Sequence, residues 1–449
     1  MVSSTVKTES KYRSAFQRLT TNANGRELGW FERLRTSAMD QFEQLGFPTV
    51  QHEEWKYTNL APLAKLDLEP VISASPLPAS DLQQFVLPES ANNQIVLVNG
   101  ILQSQLSVTE AENRIVAMEL TQALSHPDYS DVVREHLGRG ADYNASAPTA
   151  LNTAFISSGA FILIPANIRL ETPLHLMCVS DPVEPELAAF PRILVVAEEN
   201  SSATLIETYG ATKERRYFNN AVVEVVLKSG AWLDHFRVQR ENVEAYHIAS
   251  TTVDLGRDSS YNSTAITLGG ILSRHDISVL LDHEGAECWV DGLYLVGSGQ
   301  HADTHSVIDH RKPHCSSHQL YKGILDGKSR AVFNGKIFVR HGAQKTDAMQ
   351  TNKNLLLSTE AHVDTKPQLE IFADDVKCAH GAAVGQIDEE ELFYLETRGI
   401  NPDLGRNLLT YGFAEEVVGK ITVDSMRTQL EHAVLNRLNA REGMERWLG

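Results

Sequence analysis

Cys378 and His380 stand two residues apart in Lys377-Cys378-Ala379-His380-Gly381, just after the acidic pair Asp374-Asp375. On an extended chain such residues point the same way, roughly 6.5–7 Å apart. A thiolate and an imidazole on one face are soft and borderline donors, suited to a transition metal or an iron–sulfur cluster. Two ligands cannot complete a cluster site, so any such site has to be shared with another chain. Taken alone, the pair reads more simply as a buried cysteine beside an unrelated histidine, because free Cys is among the most buried residue types.

A second concentration of possible ligands is His301, His305, His310, His314, Cys315 and His318. Their spacings match no zinc signature, and on strands they divide between two faces. Side chains hydrogen-bonding in turns are the simpler reading, with a stand-alone metal site as the alternative. Gly323-Ile324-Leu325-Asp326-Gly327-Lys328-Ser329 is one residue short of a phosphate loop, and strand alternation follows where a helix must begin. Gly297-Ser298-Gly299-Gln300-His301-Ala302 formally matches a dinucleotide fingerprint but lacks the surrounding βαβ unit, so it reads as a turn. Neither G-x-S-x-G nor H-E-x-x-H occurs. The enzymatic rival is a carbohydrate-active β-helix, a class typically exported.

The elements that position these residues fall into three regions: 1–150, 151–386 and 387–449. The first is mixed and mainly helical. Trp30, Phe31, Leu34, Met39, Phe42 and Leu45 recur at helical spacing up to Gly46-Phe47-Pro48. A helix is expected over 129–137, and Asn99-Gly100 joins 94–98 to 101–106 as a hairpin.

From about 155 to 385 short β-rich runs alternate with Gly, Asp, Ser and Asn clusters. Ala331, Phe333, Gly335, Ile337 and Val339 share one face of a strand, and Leu369, Ile371 and Ala373 repeat the pattern. Breaks come at Glu199-Asn200-Ser201, Lys228-Ser229-Gly230, Arg257-Asp258-Ser259, Asp282-His283-Glu284-Gly285 and Asp326-Gly327-Lys328. They continue at Arg340-His341-Gly342, Ser358-Thr359-Glu360 and Ala373-Asp374-Asp375. That spacing belongs to repeat folds. A sandwich pair, a propeller and a β-helix all remain open, with the β-helix modestly ahead because blade motifs and tight hairpin turns are missing.

The last region is helical. Asp388 and Glu391 suit a capping box, Gly399 a helix end, and Asn401-Pro402 a new start. Leu404, Leu408, Phe413, Val417 and Ile421 line one stripe, and Met426, Leu430, Val434 and Leu438 another. Such stripes either pack on the solenoid and cap its end or dock a partner.

Composition sets the remaining bounds. The chain has 449 residues, 42% hydrophobic and 22% charged, with a formal net charge of -18. That is ordinary globular composition, and so negative a surface repels phosphate backbones and anionic lipid. Four scattered cysteines, Cys178, Cys288, Cys315 and Cys378, make no disulfide framework. Met1-Val2-Ser3-Ser4-Thr5 resembles neither a signal nor a transit peptide, so a cytoplasmic protein without a membrane span is expected.

One long ordered series goes further. It runs through Gln319-Leu320-Tyr321-Lys322-Gly323, Ala331-Val332-Phe333-Asn334-Gly335-Lys336-Ile337 and Ala343-Gln344-Lys345-Thr346-Asp347-Ala348. Next come Asn354-Leu355-Leu356-Leu357-Ser358, Lys366-Pro367-Gln368-Leu369-Glu370-Ile371 and Ala373-Asp374-Asp375-Val376-Lys377-Cys378. His380-Gly381-Ala382 and Phe393-Tyr394-Leu395-Glu396-Thr397-Arg398-Gly399-Ile400 close it. With Glu53-Glu54-Trp55-Lys56-Tyr57-Thr58 and Ala150-Leu151-Asn152-Thr153-Ala154-Phe155, it resembles the SufB/SufD family of iron–sulfur cluster assembly proteins. Two details favour the SufD branch: Cys378-Ala379-His380 stands where SufB-like sequences carry Glu-His, and 350–354 lacks their assembly cysteine.

The resemblance implies a mainly β fold, a right-handed parallel β-helix flanked by an N-terminal helical or mixed region and a C-terminal helical region. It implies a non-catalytic scaffold that forms a heterodimer with SufB and docks the ABC-type ATPase SufC, and an isolated chain could also form a homodimer. It places His380, with Cys378 as its neighbour, at the SufB interface, where a transient Fe–S cluster is shared and no cofactor is held permanently. The C-terminal stripe Leu404, Leu408, Phe413, Val417 and Ile421 resembles the SufC-docking surface.

Overall fold

The computed structural model describes residues 2–22, 29–73, 75–109, 114–182 and 186–448, with side chains from 11 to 436 within those spans apart from residue 22. Strands of mostly ten residues follow one another with short turns between them, from Ser202–Ala211 to Lys377–Gly385. Alternate strands join alternate sheets, each of eleven strands. Pairing within the coils is parallel and in register. Ser202 lies beside Trp232, Trp232 beside Ser260, Ser260 beside Glu287, Glu287 beside Ser316, Ser316 beside Asp347 and Asp347 beside Lys377. The protein is a β-solenoid with about thirty residues per coil.

Period-two alternation builds its interior. Ala331, Phe333, Ile337 and Val339 point inward with Leu205, Leu233, Val223, Val279 and Val290 in one continuous core. One turn is built the same way in six successive coils. Asn200, Gly230, Asp258, Gly285, His314 and Lys345 all have φ between 52° and 73°. Each donates its N–H to the next coil: Asn200 to the Ser229 carbonyl at 3.0 Å, Gly230 to Arg257 at 2.8 Å, His314 to Gln344 at 2.9 Å and Lys345 to Asp375 at 2.7 Å. The breaks read from sequence fall in turns, but the turns at 240–245, 268–271 and 311–315 carry weaker signals. Their omission made early spacings look like whole coils and later ones like halves.

The region before 150 is mixed and mainly helical, as the sequence pattern predicts. The Asn99-Gly100 turn has φ of 51° and 84°, a left-handed pair that closes a two-residue hairpin. Its first strand, Asn93–Val98, also pairs in parallel with Leu174–Ser180 and so begins the solenoid. Its return strand is only Ile101–Leu102, because the chain turns again and Val108–Thr109 pairs with the same strand. The helices Val2–Asn22, Gly29–Leu45 and Ala147–Ala154 lie on the outside of one sheet. There Tyr12, Phe16, Met39, Phe42 and Phe155 pack on Phe190, Phe218 and Ile248. The expected helix at 129–137 is Ser130–His136.

The carboxyl-terminal helices Pro402–Val418 and Asp424–Leu448 lie along the outside of the other sheet, Glu389–Thr397 packs on the first of them, and all three leave the solenoid's end uncovered. End-capping is therefore not their role. Their stripe does pack on the solenoid, at an apolar patch where Val238, Ile266, Leu293 and Ile324 cover Val417, Val418, Ile421, Met426, Leu430 and Val434. Leu438 lies outside the described side chains. Asp388 caps the first helix through Glu390 N–H at 2.8 Å, and Asn401 caps the second through Asp403 N–H at 2.8 Å with Pro402 following.

Candidate functional site

The last coil consists of His362–Ile371 in one sheet and Lys377–Gly385 in the other, and each ends its sheet. Both therefore present an unpaired strand edge, a row of free N–H and C=O groups. Core-type side chains are exposed here: Ile371 at 42%, Phe372 at 45% and Val384 at 48%. Ile371 is the in-register neighbour of Val339, which is fully buried one coil earlier, so it lies open because no further coil covers it. Exposed apolar surface beside unpaired backbone is the signature of an interface.

Cys378 and His380 belong to this coil. Cys378 faces Ala348 and His380 faces Gln350, both buried toward the lumen, so the pair does share one face of its strand. Cys378 is half-buried and packs against the lumen core, while His380 is exposed. Burial raises the Cys378 thiol above its usual value. A metal bound there would have to displace the thiol proton.

The histidines between 301 and 318 do not gather. His301 contacts Thr58 Oγ1 at 3.0 Å, and His305 lies between Asp303 at 3.1 Å and Glu54 at 3.2 Å on the sheet's outer face. His310 pairs with Ser317 Oγ at 2.8 Å inside the lumen, His314 occupies a left-handed turn, and His318 stacks on Trp289 at 4.1 Å. The Cys315 thiol donates to the His283 carbonyl at 3.2 Å. Among the described residues, no three His, Cys, Asp or Glu side chains come together as a metal site. The stand-alone metal reading loses its geometric basis. The phosphate-loop lookalike straddles a turn between the strands Ser316–Leu325 and Arg330–Val339, with no helix to receive a phosphate.

The docking stripe divides. Leu404 and Leu408 are exposed at 52% and 44%, whereas Val417 and Ile421 are fully buried against the solenoid and Phe413 is partly so. Val417 and Ile421 are thus withdrawn from the set available to a partner. Phe393 and Tyr394, which the stripe had omitted, are exposed beside it. Their exposure was hidden in the sequence, where an aromatic pair inside a helix reads as core.

An uncovered solenoid end with a thiol and an imidazole on its last strand, flanked by helices, is an architecture that sequence kinship can place. Residues 180–413 match the family described as SUF system FeS cluster assembly, SufBD core domain, and residues 6–176 match the SufBD protein N-terminal region. The chain belongs to the SufBD family. An iron–sulfur cluster assembly SufBD family protein of Synechocystis is 35% identical over 409 residues, covering 89% of each chain. The iron–sulfur cluster assembly protein SufD of Escherichia coli is 32% identical over 414 residues, covering 89% of this chain and 91% of that one. SufD of Bacillus subtilis is 28% identical over 421 residues, covering 90% and 93%. As a SufBD protein the chain serves iron–sulfur cluster assembly, and its likeness to SufD runs nearly end to end. Among the described residues no helix is long and apolar enough to cross a membrane.

Proposed function

We propose that this SufBD protein is a non-catalytic scaffold subunit of the cytoplasm. Its uncovered coil docks on a SufB-type subunit to form the seam where a nascent cluster is built. The exposed face around Leu404 and Leu408 docks a SufC-type ATPase, which supplies the nucleotide chemistry that this chain lacks the motif to perform. The cluster is cargo, held transiently, and no cofactor stays on the chain.

One observation carries this reading: Cys378 and His380 lie on a terminal coil whose edges and apolar side chains are left open. A partner that pairs with this coil buries its backbone edge and encloses both ligands. His380 then contributes a neutral, borderline donor, and partner thiolates complete the coordination. A cluster held partly by imidazole is easier to hand on than one held by four thiolates.

Anaerobic cluster reconstitution with SufB and SufC, followed by visible absorption, tests the reading. His380→Ala is expected to lower the cluster yield several-fold, and a normal yield would remove His380 from the site. A stoichiometric metal in the isolated chain, or sugar-cleaving activity from it, would also overturn the scaffold reading.

A further inference from the structure

Three lumen-facing side chains lie in one row across the last coils. The strands Ser316–Leu325, Asp347–Leu356 and Lys377–Gly385 stack in parallel, so Gln319 faces Gln350 and Gln350 faces His380. In-register side chains of parallel strands share a face. Gln350 Nε2 donates to Gln319 Oε1 at 2.7 Å, and Ser306 Oγ donates to the same oxygen at 3.1 Å. Gln350 is 1% exposed and Gln319 3%, so this is an amide ladder sealed inside the solenoid.

The ladder is unfinished at its upper end. Gln350 spends an N–H on Gln319, and its own Oε1 is buried without a hydrogen-bond partner. A buried acceptor left unmade is costly, so native proteins keep few of them. Gly335 leaves the space this amide fills, since a Cβ there would lie 2.4 Å from Gln350 Nε2. The next residue in the row is His380, one strand spacing of about 4.8 Å away. The same spacing separates Gln319 from Gln350, where the amides already meet.

We propose that Gln350 is a positioning residue for His380: its free Oε1 accepts a hydrogen bond from one ring nitrogen and directs the other outward at the partner seam. An imidazole whose second nitrogen is tied to an oxygen acceptor has a fixed tautomer and ring plane, the arrangement in which histidine ligates metals best. A neutral amide suits a transient site, because it orients the ring without adding charge. The use of His380 as a ligand rests on the function proposed above, but the ladder itself does not.

The full-length chain carrying 15N-labelled histidine allows a test without any cluster. Two-bond proton–nitrogen spectra, taken where the ring is neutral, separate the two tautomers, and the His380 signal is assigned by its loss in His380→Gln. In the native chain one tautomer of His380 should dominate. In Gln350→Leu the ratio should move to that of a free imidazole, and Gln350→Glu, which keeps an acceptor, should restore the single tautomer. Should Gln350→Leu fail to fold, Gln350→Asn withdraws the oxygen by one methylene and should give the same mixed signal. With SufB and SufC present, Gln350→Leu should weaken cluster retention by about 10–100-fold, the usual effect of losing a ligand's supporting hydrogen bond. A native His380 already mixed between tautomers, or one that no Gln350 variant alters, overturns the assignment. A normal cluster yield from His380→Ala, with the tautomer still dependent on Gln350, would instead defeat the proposed function and leave the ladder intact.

Discussion

Arg274 donates from Nη1 to the Asp303 carboxylate at 2.8 Å, with 3% and 1% of the two side chains exposed. The same guanidinium reaches the Glu54 carbonyl at 2.7 Å and lies over the Trp55 ring at 3.7 Å from its centroid. Thr58 Oγ1 donates to Asp303 Oδ2 at 2.6 Å. The ion pair is therefore the seat on which Glu53-Glu54-Trp55-Lys56-Tyr57-Thr58 crosses the sheet. Burial alone would push the Asp303 carboxyl up, but Arg274 and His305 hold it far below the usual carboxylate range. Asp303→Ala should cost about 1–3 kcal/mol, because it removes one of two carboxylates from a buried guanidinium and leaves Asp276, at 2.8 Å, as its remaining partner. Urea unfolding measures the loss, and amide exchange over residues 53–58 locates it. A cost under about 1 kcal/mol would mean the segment is held by packing alone.

His305 makes this seat pH-dependent. Burial by itself would lower its pKa, but Asp303 at 3.1 Å and Glu54 at 3.2 Å overcome this and raise it to about 9. The unfolded value is about 6.5, so the stabilisation is fully present below that pH and is lost as pH rises through about 9. The expected contribution is at most about 3 kcal/mol. Unfolding free energies measured from pH 6 to 10 should decline across this window in the native chain, and His305→Gln should flatten the decline. An equal decline in the variant would assign it to other groups.

The alternation at 331–339 made one strand legible, and the Asn and Gly turns made several breaks legible, because those residues carry their backbone preference in their type. The polar lumen was not legible. In Asp347–Leu356 the buried face is Ala348, Gln350, Asn352 and Asn354, while Met349 points out with 46% exposed. A period-two pattern cannot reveal which face is inside when the inner one is amide-rich, since that depends on stacking against Gln319 and Tyr294. Cys378 and His380 could be paired from their spacing, but the uncovered coil could not, because exposure at a solenoid's end depends on where the flanking helices settle.

The turn column gives a sharper comparison. His314 holds φ of 60° and Gly285 φ of 73° at equivalent places in adjacent coils, each bonded to the following coil. A left-handed L-residue costs roughly 1–2 kcal/mol that glycine does not. His314→Gly should therefore leave stability unchanged or raise it by up to about 1 kcal/mol, and Gly285→Ala should lower it by about 1–2. Thermal unfolding of both variants decides this, and a large loss in His314→Gly would show that its imidazole has a role the turn geometry does not explain.

The carboxyl-terminal stripe separates the chain's own packing from partner binding. Lys322 Nζ donates to the Phe413 carbonyl at 2.8 Å and lies 4.2 Å from that ring's centroid, fastening Pro402–Val418 to the solenoid. Ile421 is fully buried nearby. Ile421→Ala should cost about 2–5 kcal/mol, read as faster amide exchange across these helices. Leu404→Ala with Leu408→Ala removes exposed side chains, so stability should stay within about 0.5 kcal/mol of native for each change. If this face docks a SufC-type ATPase, titration calorimetry should show that the double variant binds at least about tenfold more weakly, since a few central apolar anchors dominate such interfaces. Unchanged affinity in that variant would place the ATPase contact elsewhere on the chain.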